Sequence, residues 1–526
     1  MFDLVIRGGT LVDGTGAPGR RGDVGVAGER ITALDDLAGA EARRIIDAAG
    51  LTVAPGFIDT HTHAEGALLT DPQHAMGLRQ GITTEFVGID GMSYAPLSPA
   101  RYREYRRWLS GLLGEPPEDL DMRSVAAFRS HYHRRVAVNT AYLVPHGTVR
   151  LEVLGFRDVP LAGEALRAAR RLVARGLEDG AVGFSTGSKY YPGPWGDTEE
   201  IIALCEVVRA AGGVYMCEPR RVNLDRAAGG DGVAEALEVA RRSGARLHFA
   251  HYRTSAETAG RIDRIMASID PARAEGLDIT FDVYPYPSGS SVAVSLLPSA
   301  VHDGGPDAIL ARLTDPVERR KIAGALDGDP GIPLGDLVCS YAPRRPELEG
   351  MALVDVAARR GRSLGEALCE ILLETELQVG HVTAAPRSPA VWRQVSRDCL
   401  TLLARPDYMA CSDITPAGRF PHPRSYGAFP RFLGRLRREL GGITLETMVQ
   451  RMTEAPARRF RLPDRGRLAR GHFADIVAFD ADRVLDLSTY DDPCRFPAGI
   501  PYVIVNGQVA VDDERCTGVL GGQAVP

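Results

Sequence analysis

Short apolar runs separated by glycine turns open the chain. Asp3-Leu4-Val5-Ile6-Arg7, Thr10-Leu11-Val12, Asp23-Val24-Gly25-Val26 and Arg30-Ile31-Thr32-Ala33-Leu34 follow one another within residues 1–54, a spacing that predicts a small antiparallel sheet. A similar pattern returns in Ala474-Asp475-Ile476-Val477-Ala478-Phe479-Asp480 and over 502–511. Residues 1–54 and 466–526 therefore read as two parts of one β domain in which the ends of the chain meet.

Between them, over 55–465, apolar β-rich runs alternate with helical stretches, the signature of βα units and a parallel sheet. The candidate strands are 57–62, 82–88, 136–143, 181–185, 213–217, 246–250, 278–283 and 407–412. Eight runs fit a closed (β/α)8 TIM barrel of the α/β class. The helical pattern over 163–176 closes on Gly176, a helix-ending glycine. The interval from 284 to 406 is too long for one crossover and carries its own helical pattern over 363–373. It predicts a helical insertion, about 285–405, over the barrel mouth.

With 526 residues the chain can bury a large core. Its formal charge of -6 is spread over interspersed acids and bases, which argues against nucleic acid as a partner and favours a small molecule. The eight cysteines are scattered without CxxC pairs, so neither a disulfide framework nor a zinc ribbon is expected, and the reading is a reducing, cytoplasmic compartment. No long apolar run or export leader is read, so no membrane partner is expected. Lysine occurs only at Lys189 and Lys321, which singles both out, because arginine cannot give up its proton and so cannot stand in for lysine chemistry.

The chemistry gathers where strands end. In Pro55-Gly56-Phe57-Ile58-Asp59-Thr60-His61-Thr62-His63 an apolar run finishes in two histidines one residue apart, which alternation places on the same face. Two imidazoles aimed at one spot are half of a metal site. Other strand ends add Asp90, Glu218, His251 and Asp413. Alone, each is as well explained as a loop cap or a satisfied polar partner. Their register at the C-terminal ends of different strands, where barrel enzymes build their sites, is what marks them out.

The sequence resembles the D-aminoacylase (N-acyl-D-amino-acid deacylase) family of the amidohydrolase superfamily. Beyond the His-x-His strand, the resemblance is carried nearly end to end. Its segments include Ser93-Tyr94-Ala95-Pro96, His146-Gly147-Thr148-Val149-Arg150, Gly183-Phe184-Ser185-Thr186-Gly187, Asp282-Val283-Tyr284-Pro285-Tyr286, His422-Pro423-Arg424 and Gly471-His472-Phe473-Ala474-Asp475. It implies a metal-bearing barrel, a β domain from both termini and a mobile insertion over the site. It also implies hydrolysis of the amide of an N-acyl-D-amino acid by a metal-activated water, with Asp413 as the catalytic proton carrier. The metal ligands would be His61, His63, Asp90, Glu218 and His251, with Lys189 a second candidate for the bridging role. The free carboxylate of the small-molecule substrate would be held by Arg253, Tyr284, Ser290 and Arg424.

Two positions depart from the family pattern. Asp90 stands where the family has cysteine, and Glu218 where it has histidine. The resemblance implies zinc, whereas these harder oxygen donors shift preference toward manganese, iron or cobalt. A cyclic amidohydrolase of the hydantoinase or dihydroorotase type shares the water chemistry and is an alternative. A non-catalytic degenerate barrel that binds a small acid is another, disfavoured by the retained histidines and Asp413.

Overall fold

Eight short strands run parallel around one axis in the computed structural model, which describes residues 1–328 and 333–526. They are β1 (Phe57–Asp59), β2 (Ile82–Val87), β3 (Asn139–Pro145), β4 (Gly183–Thr186), β5 (Val214–Cys217), β6 (Arg246–Phe249), β7 (Ile279–Val283) and β8 (Tyr408–Ala410), hydrogen-bonded in sequence order. The ring closes just beyond the strands, where Thr62 bridges Ile414. There His63 N–H donates to the Ile414 carbonyl and Asp413 N–H to the His61 carbonyl, each at 2.8 Å. Every residue of β2 and β3 is buried, as befits strands covered on both faces. Ile58, Phe86, Leu143, Met216 and Met409 fill the barrel with Phe460 and Val525. Val525 N–H donates to the Thr140 carbonyl near the start of β3, so this plug sits opposite the mouth.

The chain ends share a nine-stranded sheet. Phe2–Leu11 pairs antiparallel with Arg20–Ala27 but parallel with Ala42–Asp47 and Thr52–Pro55, so the sheet is mixed rather than wholly antiparallel. Ile476–Phe479 lies antiparallel on Thr52–Pro55 and leads on to Tyr502–Val505 and Gln508–Asp512. A separate apolar cluster, including Ile6, Val24, Ile476 and Ile504, packs it. Asp475 fastens the sheet to the barrel: it is ion-paired with Arg465 and accepts from Asn139 Nδ2 at 3.2 Å and Asn506 N–H at 2.9 Å.

The segment between β7 and β8 is helical, as the sequence predicts. Its pattern over 363–373 is the helix Leu364–Glu374, whose Ser363 and Glu366 satisfy each other's main-chain N–H groups in a capping box. It also contains a feature the pattern did not predict, a three-stranded antiparallel sheet of Ser290–Val292, Gly380–Thr383 and Leu337–Tyr341, with Gly380–Thr383 in the middle. The predicted helix over 163–176 continues to Glu178. Gly176 lies inside it because a Cβ there would come within 2.5 Å of Val144 Cγ2, and the chain turns instead at Gly180, φ +98.

Behind β3 and β4 lies a buried ionic group. Glu200 accepts from His146 Nε2 at 2.7 Å, from Arg150 Nη1 at 2.6 Å and from Leu161 N–H at 3.1 Å. Burial pushes the Glu200 carboxyl up, but the His146 hydrogen bond and the Arg150 charge outweigh it and bring it down to about 2. Arg150 Nε also donates to the Pro192 carbonyl at 3.0 Å, so the cluster fixes the loop that follows β4. Glu200→Gln strips a buried guanidinium of its counter-charge and should cost about 3 kcal/mol, read as a lower denaturation midpoint. Because the folded value lies below the ordinary 4.5, the Glu200 contribution is complete above about pH 4.5 and is lost as pH falls toward about 2. The acid-side slope of stability across that window should flatten in Glu200→Gln.

Candidate metal centre

Side chains from five strand ends converge at the mouth: His61 and His63 after β1, Asp90 after β2, Glu218 after β5, His251 after β6 and Asp413 after β8. Asp90 is central, with Oδ2 at 3.1, 3.5 and 3.7 Å from the Nε2 atoms of His61, His63 and His251. Asp413 Oδ1 lies 3.6 and 3.2 Å from the Nε2 atoms of His61 and His63. Glu218 Oε1 is 3.9 Å from His251 Nε2. Two sets of donor atoms, His61 with Asp90 and His251, and His61 with His63 and Asp413, each lie within 4.8 Å of one another.

Three of these residues share an unusual backbone. Asp90, His251 and Asp413 have φ of 52, 33 and 55, in the left-handed region that costs a non-glycine residue about 1 kcal/mol or more. The left-handed turn bends the chain as it leaves the strand, so the side chain returns over the mouth. Buried carboxylates brace the turns. Asp282, on β7, accepts from His251 N–H at 2.5 Å, and also from Thr60 Oγ1 at 2.9 Å and His248 Nε2 at 3.0 Å. Asp59, on β1, accepts from Ser412 N–H at 2.9 Å and His61 N–H at 3.2 Å. Sequence reasoning gave no role to Asp59, Asp282, Thr60 or His248. Their signal was ionisable or hydroxyl groups inside otherwise apolar strand runs.

Burial would drive protons off the imidazoles, but hydrogen bonds to Asp413 and Asp90 outweigh it at His63, raised to about 9, and the bond to Asp90 does so at His251, raised to about 10. Burial likewise opposes ionisation of Asp90, yet the His61 charge and the three imidazole hydrogen bonds hold it well below the usual carboxylate range. Asp413 is also held low against burial, chiefly by the Arg424 guanidinium. Ionised carboxylates interleaved with imidazoles, with His61 Nδ1 and Asp90 Oδ1 left without partners among the described residues, form a donor set that fits a divalent cation. Cys217 is in neither set of donor atoms, and burial pushes its thiol up to about 12.

The carboxylate clamp inferred from sequence also assembles. Arg253 Nη2 donates to Tyr284 Oη at 2.5 Å, and the Arg253 and Arg424 guanidiniums lie 4.1 and 4.6 Å from the Tyr284 ring centroid. Arg424 reaches Ser290 Oγ at 3.1 Å and Asp413 Oδ2 at 2.6 Å. Arg253, Tyr284, Ser290 and Arg424 line one cavity of about 1330 Å³ together with His63, Asp90, Glu218, His251 and Asp413. Lys189 lines it too.

Asp282→Ala should weaken divalent-metal affinity about 10- to 100-fold by freeing the His251 turn, measured by chelator competition. Glu218→Ala should lower metal content per chain in elemental analysis; wild-type content would remove Glu218 from the donor set.

Residues 44–211 and 297–511 match the model of the amidohydrolase family, Amidohydro_3. An N-acyl-D-glutamate deacylase of Alcaligenes xylosoxydans xylosoxydans is 36% identical over 511 residues, covering 96% of this chain and 93% of that protein. A D-aminoacylase of the same organism is 33% identical over 544 residues, covering 100% and 97%. The crystal structure of N-acyl-D-glutamate deacylase from Bordetella bronchiseptica, complexed with zinc and a phosphonate inhibitor that mimics the reaction's tetrahedral intermediate, superimposes with a TM-score of 0.83. It is 32% identical, with 100% of this chain and 99% of that one covered.

Proposed function

The chain belongs to the amidohydrolase family, in its D-aminoacylase branch, and on that premise we propose that it hydrolyses the amide bond of N-acyl-D-amino acids with the help of a divalent metal. The observation that carries this reading is the meeting of the imidazole and carboxylate donor set with the Arg253, Tyr284, Ser290 and Arg424 clamp in one cavity.

His61, His63, Asp90, Glu218 and His251 would hold the metal, which when bound supplies Lewis acidity and makes nearby water easier to deprotonate. Zinc is the resident ion in this reading, since three imidazoles and carboxylates suit it; the oxygen donors Asp90 and Glu218 widen tolerance toward manganese, iron and cobalt. Asp413 carries the proton. Its Oδ2 is committed to Arg424 at 2.6 Å, whereas Oδ1 faces His61 and His63, so the proton from water is taken at Oδ1 and handed to the leaving amine.

Arg424 links binding to this step. A substrate carboxylate drawn between Arg253 and Arg424 shares the guanidinium charge that keeps Asp413 acidic, so Asp413 becomes a better base when substrate is seated. With the carboxylate at the clamp, the two enantiomers exchange the places of side chain and α-hydrogen, so the cavity wall beside the α-carbon would choose the hand. The eight cysteines are all free, which supports a reducing, cytoplasmic setting, and no helix of the described residues is long and apolar enough to cross a membrane.

Asp413→Asn should lower kcat by about 10²- to 10⁴-fold with metal content near wild type. Loss of metal instead would make Asp413 chiefly a ligand. Metal-loaded enzyme should release amine from N-acetyl-D-amino acids and not from their L enantiomers; release from neither, or from L alone, overturns the reading.

A further inference from the structure

One cavity wall is made by the inserted sheet, which also carries Ser290. His381, on the central strand Gly380–Thr383, lines the cavity and is 3% exposed. Neither of its ring nitrogens has a hydrogen-bond partner among the described residues. An unsatisfied buried polar group costs about 1–3 kcal/mol, so a side chain in this state is poised for a ligand.

His381 does not stand alone. It pairs in register with Ser291, and facing residues of an antiparallel pair share a side of the sheet. Ser291 Oγ meets Tyr190 Oη at 3.1 Å, which brings the loop after β4 against this face. On that loop Ser188 Oγ is buried, again without a partner among the described residues, and Lys189 lines the same cavity. Burial and the Lys189 charge push the His381 imidazole down to about 3, so it is neutral and offers one N–H.

A hydroxyl, an imidazole N–H and an ammonium suit an anion, and the ammonium opposes a second metal. The neighbouring anion Glu218 belongs to the donor set, and the α-carboxylate already has Arg253 and Arg424. We propose that Ser188, Lys189 and His381 form a second anion subsite, which takes a further carboxylate carried by the substrate on its side chain or its acyl group. The inference rests on the deacylase reading above for which molecule brings that carboxylate.

Isosteric pairs test it. N-acetyl-D-glutamate is compared with N-acetyl-D-glutamine for a side-chain source, and N-succinyl-D-alanine with N-succinamoyl-D-alanine for an acyl source. A hydrogen bond to a charged group is worth about 1.5–3 kcal/mol, so kcat/KM should favour the dicarboxylate of at least one pair about tenfold or more. The pair that shows the preference identifies the source. That ratio should fall at least about fivefold in His381→Leu and in Lys189→Met. Thermal midpoints of the metal-loaded protein with each compound give a second readout that needs no turnover. Equal ratios in both pairs, or a preference that survives both substitutions, overturn the subsite while leaving the deacylase reading intact. His381-dependent stabilisation by a dicarboxylate without turnover of any D-substrate overturns the deacylase reading and supports the subsite.

Discussion

Two main-chain hydrogen bonds, from Asp413 N–H to the His61 carbonyl and from His63 N–H to the Ile414 carbonyl, tie the last barrel strand to the first. Without that closure the paired imidazoles and Asp413 would sit on opposite edges of an open sheet. With it they become neighbours, and Asp413 Oδ1 comes to 3.2 Å from His63 Nε2. The energy that holds this geometry is mostly apolar. Phe86, Met216, Met409 and Phe460 fill the barrel below the mouth, and their packing fixes the strand ends from which the polar groups project.

The polar groups are in turn held by other polar groups. Asp59 Oδ1 accepts from the His61 main-chain N–H and Asp282 Oδ1 from that of His251, so the backbone from which each imidazole projects is held by a buried carboxyl group. The Glu200, His146 and Arg150 cluster does the same for the loop after β4 at one remove. Family resemblance singled out the segments that contain Arg150, Asp282 and Asp475. The structure shows that these three brace the fold, whereas Tyr284 and Arg424 from the same group of segments face the cavity.

Much of this was legible in the chain. The apolar runs marked all eight barrel strands, and the residues just after them marked the donor set, because a strand end is a local feature. What was missed depends on partners far away in sequence. β3 begins at Asn139 rather than 136 because residues just before it bond to the distant Gly522 instead of to a barrel neighbour. Gly176 looked like a helix stop, but it is a close approach to Val144, which no window around it contains. The inserted sheet went unseen because its strands, Ser290–Val292, Gly380–Thr383 and Leu337–Tyr341, mix polar with apolar residues and form no continuous apolar run, and with them went the register that places His381 in the cavity wall. The ring-opening alternative and the non-catalytic one give way to full-length relatives that are deacylases of N-acyl-D-amino acids.

The barrel supplies the imidazole and carboxylate donor set from β1, β2, β5, β6 and β8, while much of the remaining cavity wall comes from the single excursion between β7 and β8. The donor set and that part of the wall thus lie on separable pieces of the polypeptide. Exchanging that one excursion between relatives is a modular route to altered substrate choice that leaves the water-activating apparatus in place, so divergence within such a lineage is expected to concentrate there.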